Sequence, residues 1–221
     1  MTASLEDFKG QYSGRIFLVG NGPSMGLLTP EIKKRMNKEY LFMGSRFIDW
    51  KDSGLKPSWY ILTERKQTTD WMAEKTYNKV GASIAKFWVD WQPAPTGWVA
   101  IPHPPSNAHD VLNYGTRCLM GSCADGVDPG KPHLAHGKDT PLAMAQVAAY
   151  MGFNEMFLLG CETTTVGKVY DTTMARNMHV EGIMEPYYQR AKNELPMTDC
   201  TPDGKLNAIL GYRDIEEVLN A

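Results

Sequence analysis

No stretch of the 221 residues approaches the roughly 18 consecutive apolar residues that a membrane-spanning helix needs, so a transmembrane segment is not expected. Cysteine is scarce: Cys118, Cys123, Cys161 and Cys200 are the only four, and they are widely scattered. A chain of this length builds a sizeable core without disulfide or metal staples. With no apolar signal segment at its start, the cysteine usage favours a reducing, cytoplasmic setting. Neither sign of charge is in excess, and a net charge of −2 argues against a dedicated nucleic-acid binder. Internal repeats, low-complexity tracts and long like-charge runs are missing too. Nothing marks a linker, and residues 1–221 are expected to form one domain.

What the chain does have is an apolar run that stops abruptly. Ile16-Phe17-Leu18-Val19 is bounded by Arg15 and Gly20, which suits a strand covered on both faces of a parallel α/β sheet. Gly20-Asn21-Gly22-Pro23-Ser24 follows. Its glycines let a ligand approach the main chain, while Asn21 and Ser24 add polar side chains to exposed amides, a cradle for a phosphate or a ribose. A tight turn without a ligand is the plainer alternative.

Further units repeat the strand-then-polar pattern. Thr29-Pro30-Glu31 predicts a helix running to about Asn37. Strands are predicted over 40–43, ending at Gly44-Ser45-Arg46, and over 58–62, ending at Thr63-Glu64-Arg65. A helix over 67–80 and strands over 83–89 and 98–101 come next. Residues 102–137 hold five prolines and several glycines and read as a long irregular loop region, with room for a short helix at 109–114. Thr140 as cap, Pro141 and Gly152 then bound a helix of small residues, and Glu155-Met156-Phe157-Leu158-Leu159-Gly160 reads as a central strand. Residues 181–194 look helical, Pro196 stops them, and 214–219 suggest a last short helix. The expected fold is α/β: a single Rossmann-like domain with a mostly parallel sheet flanked by helices.

Several familiar sites are excluded by spacing. Gly20 to Gly26 reads G-x-G-x-x-x-G, and the second strand ends in Ser45-Arg46 with no acid to hold a ribose, so NAD binding is not expected. Gly137-Lys138-Asp139-Thr140 lacks the earlier glycine of a P-loop, and Asp139 separates Lys138 from Thr140. A helix start with a hydroxyl and a nearby cation remains, which suits an anion or ordinary capping. Cys118, Cys123, His133 and His136 are spaced too loosely for a known zinc pattern, and no metal site is expected. His179 lies beyond the second α/β unit. An imidazole there can take a proton from a hydroxyl at neutral pH.

Three segments together, Gly20 to Ser24 after a strand, the helix-strand unit at 140–160, and His179, resemble the small bacterial CMP-sialic acid-dependent sialyltransferases. They also resemble the wider group that includes motility-associated-factor glycosyltransferases and 6-hydroxymethylpterin diphosphokinase-like proteins. The closing Cys200-Thr201-Pro202-Asp203-Gly204-Lys205-Leu206 is similar to that group's terminal segment.

The resemblance implies a transferase using a nucleotide-activated donor, CMP-linked among the candidates, and a hydroxyl acceptor, with no obligatory cofactor. Asn21, Gly22, Pro23, Ser24, Ser45, Arg46, Thr140 and Glu162 would then hold the donor. Tyr170 would help the nucleotide leave and His179 would act as base, with Arg46, Arg65 or Lys138 easing the leaving phosphate. Ser45 and Thr164 stand where sialyltransferases carry asparagine and tyrosine, Glu162 stands for an aspartate, and the loop before His179 is shorter. These departures weaken sialic acid as the sugar more than a nucleotide donor. The alternatives are pyrophosphoryl transfer from ATP to a pterin alcohol, with magnesium held by Glu64 and Glu162, and a nucleotide-binding module without catalysis. Specific nucleic acid is not an expected partner, and a homo-oligomer is left open.

Overall fold

Alternating residues of the first apolar run face two different cores, which is why the run is continuous rather than alternating. In the computed structural model Ile16 and Leu18 join one buried cluster, and Phe17 and Val19 join the other. The structure describes residues 3–44, 47, 52–63, 84–89, 94–102, 110–121, 133–135, 139–162 and 184–221. The predicted helix at 67–80 lies outside them.

Seven strands form one sheet: β1 (Arg15–Val19), β2 (Leu41–Gly44), β3 (Trp59–Leu62), β4 (Ala85–Val89), β5 (Val99–Ile101), β6 (Glu155–Leu159) and β7 (Met197–Asp199). Their order is β5-β4-β3-β2-β1-β6-β7, and every pairing is parallel. The chain therefore builds outward from β1 in one direction as far as β5. It then returns to place β6 on the other side of β1, in register from Arg15 opposite Glu155 to Val19 opposite Leu159. The strand order reverses between β1 and β6, and open α/β sheets bind ligands outside the strand C-termini at such a point.

Six helices are described: α1 (Pro30–Met36), α2 (Val111–Tyr114), α3 (Thr140–Met151), α4 (Glu185–Ala191), α5 (Asn207–Leu210) and α6 (Ile215–Asn220). Residues of α2, α3, α4 and α5 belong to the core on one face of the sheet, and those of α1 and α6 to the core on the other. The α3 helix is the centrepiece of its layer. Ten of its twelve residues are buried, and its alanines let it lie close on the strands. No described helix is long and apolar enough to cross a membrane.

Most elements fall where the residue pattern puts them, and the differences have local causes. Tyr40 stays outside β2 and is 44% exposed. Its ring packs with those of Trp59 and Phe153, and Tyr12 joins the same cluster. The described part of the 102–137 region is less irregular than its prolines suggest. It contains α2, a 3-10 turn at Cys118–Met120, and residues 133–135, whose Ala135 backbone is clasped by the buried Gln146 amide of α3. The strand at Met197–Asp199, directly after Pro196, was not expected. It is three residues long and ends in a fully buried aspartate, so neither length nor hydrophobicity announces it.

Candidate functional site

Where the sheet opens, β2 ends in a glycine and β1 and β6 are each followed by one, and each of the three is closely approached by a neighbour. A Cβ on Gly20 would lie 2.2 Å from the Gly160 carbonyl oxygen. One on Gly44 would lie 2.7 Å from Thr140 Cγ2, and Gly160 adopts φ +69° against Met25. These close approaches draw the ends of β1, β2 and β6 together under the start of α3. Between them is a small pocket open to solvent, lined by Val19, Gly20, Asn21, Gly44, Asp139, Thr140, Pro141, Met144 and Gly160.

The loop after β1 holds itself together more than expected. Gly20 N donates to Leu159 O at 2.7 Å and Gly22 N to Gly160 O at 2.9 Å. Pro23–Leu27 forms a 3-10 turn with Gly22 as its N-cap, and the amide of Ser24 donates to Glu162 Oε1 at 2.6 Å. The Glu162 carboxylate fills the place where a Cβ on Gly22 would stand, so a side chain there would have to displace it. An open cradle of amides at Gly20, Gly22 and Ser24 is therefore not what this loop presents. An internal carboxylate occupies the start of the 3-10 turn, where a bound anion would otherwise gain most.

What the loop does offer is Asn21. It is only 7% exposed and lines the pocket, and its side chain makes no hydrogen bond to another described residue. An amide lining a pocket offers a ligand both a donor and an acceptor. Across the pocket stands the first turn of α3. Asp139, not Thr140, is the N-cap residue, and its carboxylate makes no capping hydrogen bond. Thr140 is the first helical residue, and its hydroxyl is 2.7 Å from that of Thr63 at the end of β3. Expecting Thr140 as the cap overlooked this cross-strand partner. The Asp139 carboxylate instead accepts a hydrogen bond from the Tyr188 hydroxyl of α4 at 2.8 Å.

Of the residues expected at the site, Asn21 and Thr140 line one pocket, while Gly22, Pro23, Ser24 and Glu162 shape the loop beside it. Ser45, Arg46, Tyr170 and His179 lie outside the described residues, as do Glu64, Arg65, Lys138 and Thr164. Asp139 and Tyr188 were missed. The signal for Asp139 was its place before Thr140-Pro141, and Tyr188 had none, since its partner is 49 residues away. Cys118 is disulfide-bonded and so is not a free metal ligand. Among the described residues no group of three or more His, Cys, Asp or Glu is placed to hold a metal ion. Cys161 and Cys200 are free but buried, and burial pushes the Cys200 thiol up to about 12, which leaves it inert as a nucleophile.

A second buried carboxylate braces this end of the sheet. Asp199, fully buried at the end of β7, accepts from Thr201 N at 2.9 Å through Oδ1, while Oδ2 has no partner. Thr201 Oγ1 in turn accepts from Cys161 N at 3.3 Å, tying β7 to the loop after β6. Burial raises the Asp199 pKa from 3.8 to about 6; hydrogen bonds from Thr201 oppose the rise and the charge of Glu162 adds to it. A raised folded-state pKa means the folded form binds the proton more tightly, so this group's contribution to stability falls as pH climbs from about 4 to about 6. Asp199→Asn is expected to be more stable than the parent at pH 7.5, by up to about 3 kcal/mol, and nearly equal to it at pH 4. Urea denaturation at the two pH values checks this; a difference that does not change with pH would contradict it.

No protein-family model and no curated protein sequence matches the chain. Among solved structures it is similar to the MAf glycosyltransferase from Magnetospirillum magneticum AMB-1, with a TM-score of 0.53 at 15% identity over 85% of this chain. The match spans only 31% of that larger protein. The sialyltransferase CstII from Campylobacter jejuni, in complex with a substrate analogue, cytidine-5'-monophosphate, is a weaker match. Its TM-score is 0.39 at 10% identity, over 91% of this chain and 85% of that one. At such identities the first likeness speaks to the fold, an α/β sheet of the Rossmann-like kind with all strands parallel.

Proposed function

We propose that the chain is a transferase of the glycosyltransferase type, which binds a nucleotide-activated sugar at the β1/β6 switch point and passes the sugar to an acceptor hydroxyl. The observation that carries this reading is the pairing across one pocket of the nine-tenths-buried Asn21 with the first turn of a 12-residue helix whose N-cap side chain makes no capping bond. Both supply hydrogen-bond donors in a partly desolvated place, and the helix end adds a positive potential. A phosphate oxygen satisfies both at once. The shared fold with a glycosyltransferase supports the choice of reaction class.

In this reading the bond between the sugar's anomeric carbon and the phosphate oxygen breaks as the acceptor oxygen forms its bond to that carbon. The electron pair goes to the departing nucleotide phosphate, whose charge Asn21, the α3 start and Thr140 stabilise. Gly22, Pro23, Ser24 and Glu162 keep the loop in the shape that presents Asn21. Ser45 and Arg46 follow β2, whose last residue Gly44 lines the pocket, and are assigned to the donor as well. Tyr170 assists the leaving nucleotide, and His179 takes the acceptor proton.

The test is a thermal-shift series with CMP, CDP, UDP, GDP and ADP, with and without magnesium, because a ligand that binds only the folded chain raises its melting temperature by mass action. A shift with one nucleoside class that does not need magnesium is expected. Shifts that appear only with ADP and magnesium would turn the reading toward pyrophosphoryl transfer, and no shift at all would overturn it.

A further inference from the structure

Two carboxylates at the open end of the sheet each keep one buried oxygen without a hydrogen-bond partner, Oδ2 of Asp199 and Oε2 of Glu162. Asp199 ends β7 and is fully buried, and Glu162 follows the adjacent strand β6. No described cation forms an ion pair with either. The two lie within electrostatic reach of each other, an arrangement that is costly unless one of them carries a proton.

A path of hydrogen bonds leads from this pair into the loop after β1. Thr201 N donates to Asp199 Oδ1, Cys161 N donates to Thr201 Oγ1, and Glu162, the residue after Cys161, accepts from Ser24 N at 2.6 Å. Ser24 Oγ is a third buried oxygen without a partner. Because the Glu162 carboxylate also stands against Gly22, its place fixes the loop that carries Asn21.

The other ionisable groups near β7 act elsewhere. The α5 helix, which packs on β7, carries none. The segment bridged to Asp199 at Tyr212 brings Arg213 and Asp214, whose charges act on the Cys200 thiol, and Asp203 acts on the Tyr212 hydroxyl. The Cys161 thiol donates to the carbonyls of Leu18 and Leu159. Among the described residues the charge that favours a proton on Asp199 is that of Glu162, which adds to the larger effect of burial. Such coupling is reciprocal. A proton on Asp199 favours the charged Glu162 in its place against Ser24 to the same degree.

We propose that Asp199 is a positioning residue for the loop after β1, acting through Glu162: with a proton on Asp199 the Glu162 carboxylate holds the Ser24 amide firmly, and loss of that proton sets two charges against each other and loosens the loop. The consequence for a nucleotide rests on the donor reading above. A loop held in shape presents Asn21, and one negative charge fewer at this end of the sheet favours a phosphate, so binding strengthens as the pH falls through the Asp199 midpoint. The response of the loop itself needs no ligand.

The experiment is a nuclear magnetic resonance titration of the isotope-labelled full chain from pH 5 to pH 8 without ligand, following the Ser24 backbone amide and the Asp199 carboxyl carbon. It compares the parent, Asp199→Asn and Glu162→Gln. In the parent the two signals are expected to share one midpoint near 6. Asp199→Asn is expected to keep the Ser24 amide at its low-pH position throughout, and Glu162→Gln to shift the Asp199 midpoint downward. A Ser24 amide that does not move in the parent, or that keeps its midpoint in Asp199→Asn, would overturn the proposal. If Asp199→Asn does not fold, Glu162→Gln decides, because an unmoved Asp199 midpoint there would mean that the two carboxylates are not coupled. Calorimetry with CMP at pH 5.5 and 7.5 then reads the ligand step. The parent is expected to lose up to about tenfold more affinity over that interval than Asp199→Asn, in which the ligand's own titration is the same. Equal losses would overturn the step from loop to ligand, whereas a parent that binds no CMP at either pH would count against the donor reading and not against the coupled pair.

Discussion

Asn21→Ala is expected to weaken nucleotide binding by about 10- to 100-fold, the range for losing a hydrogen bond to a charged group, while stability holds or rises. The combination matters more than either half. A buried polar residue that served the fold would lose stability on truncation. Asn21 makes no side-chain hydrogen bond to another described residue, so its truncation removes no such bond from the described fold. Sites kept for binding commonly sacrifice stability in this way. Calorimetry and urea denaturation on the same preparation read the two quantities. A destabilised variant with unchanged affinity would assign Asn21 to the loop's architecture instead.

His179→Ala is expected to leave nucleotide binding intact and to lower transfer to the acceptor by about 100- to 10,000-fold, the range that a positioned general base contributes. The split follows from the division of labour proposed for the site. Charge on the departing phosphate is met by Asn21 and α3, whereas the proton belongs to the acceptor. Initial rates of transfer, measured with a saturating nucleotide donor, separate the two effects. A variant with the parent's rate would remove His179 from the mechanism, and a parent that binds nucleotides tightly but turns over no donor would point to a binding module without catalysis.

The sheet was legible in the sequence because its strands are buried on both faces. Ile16-Phe17-Leu18-Val19 and Met156-Phe157-Leu158-Leu159 are unbroken apolar runs, each stopped by a glycine, and those two strands pair at the switch point. The α3 helix was legible for a similar reason, as small residues sit between a proline and a closing Gly152. The edge strand β7 was not, because three residues ending in Asp199 carry no period.

The site was half legible. Gly20 to Ser24 marked the right loop, but its amides are spent on Leu159, Gly160 and Glu162. Such partners come from β6 and beyond, some 140 residues away in the chain, where no local pattern reports them. The same holds for the hydrogen bond from the Tyr188 hydroxyl to Asp139. Local chemistry shows which groups are available, and tertiary contacts decide which of them remain free for a ligand.

The most direct test of the central claim is a nuclear magnetic resonance titration of the isotope-labelled chain with the nucleotide that gives the largest thermal shift, following the side-chain amide of Asn21 and the backbone amide of Leu142 in the first turn of α3. Both signals are expected to move together and saturate at one ligand concentration. Saturable binding that moves neither signal would place the nucleotide elsewhere and contradict the assignment of the β1/β6 pocket.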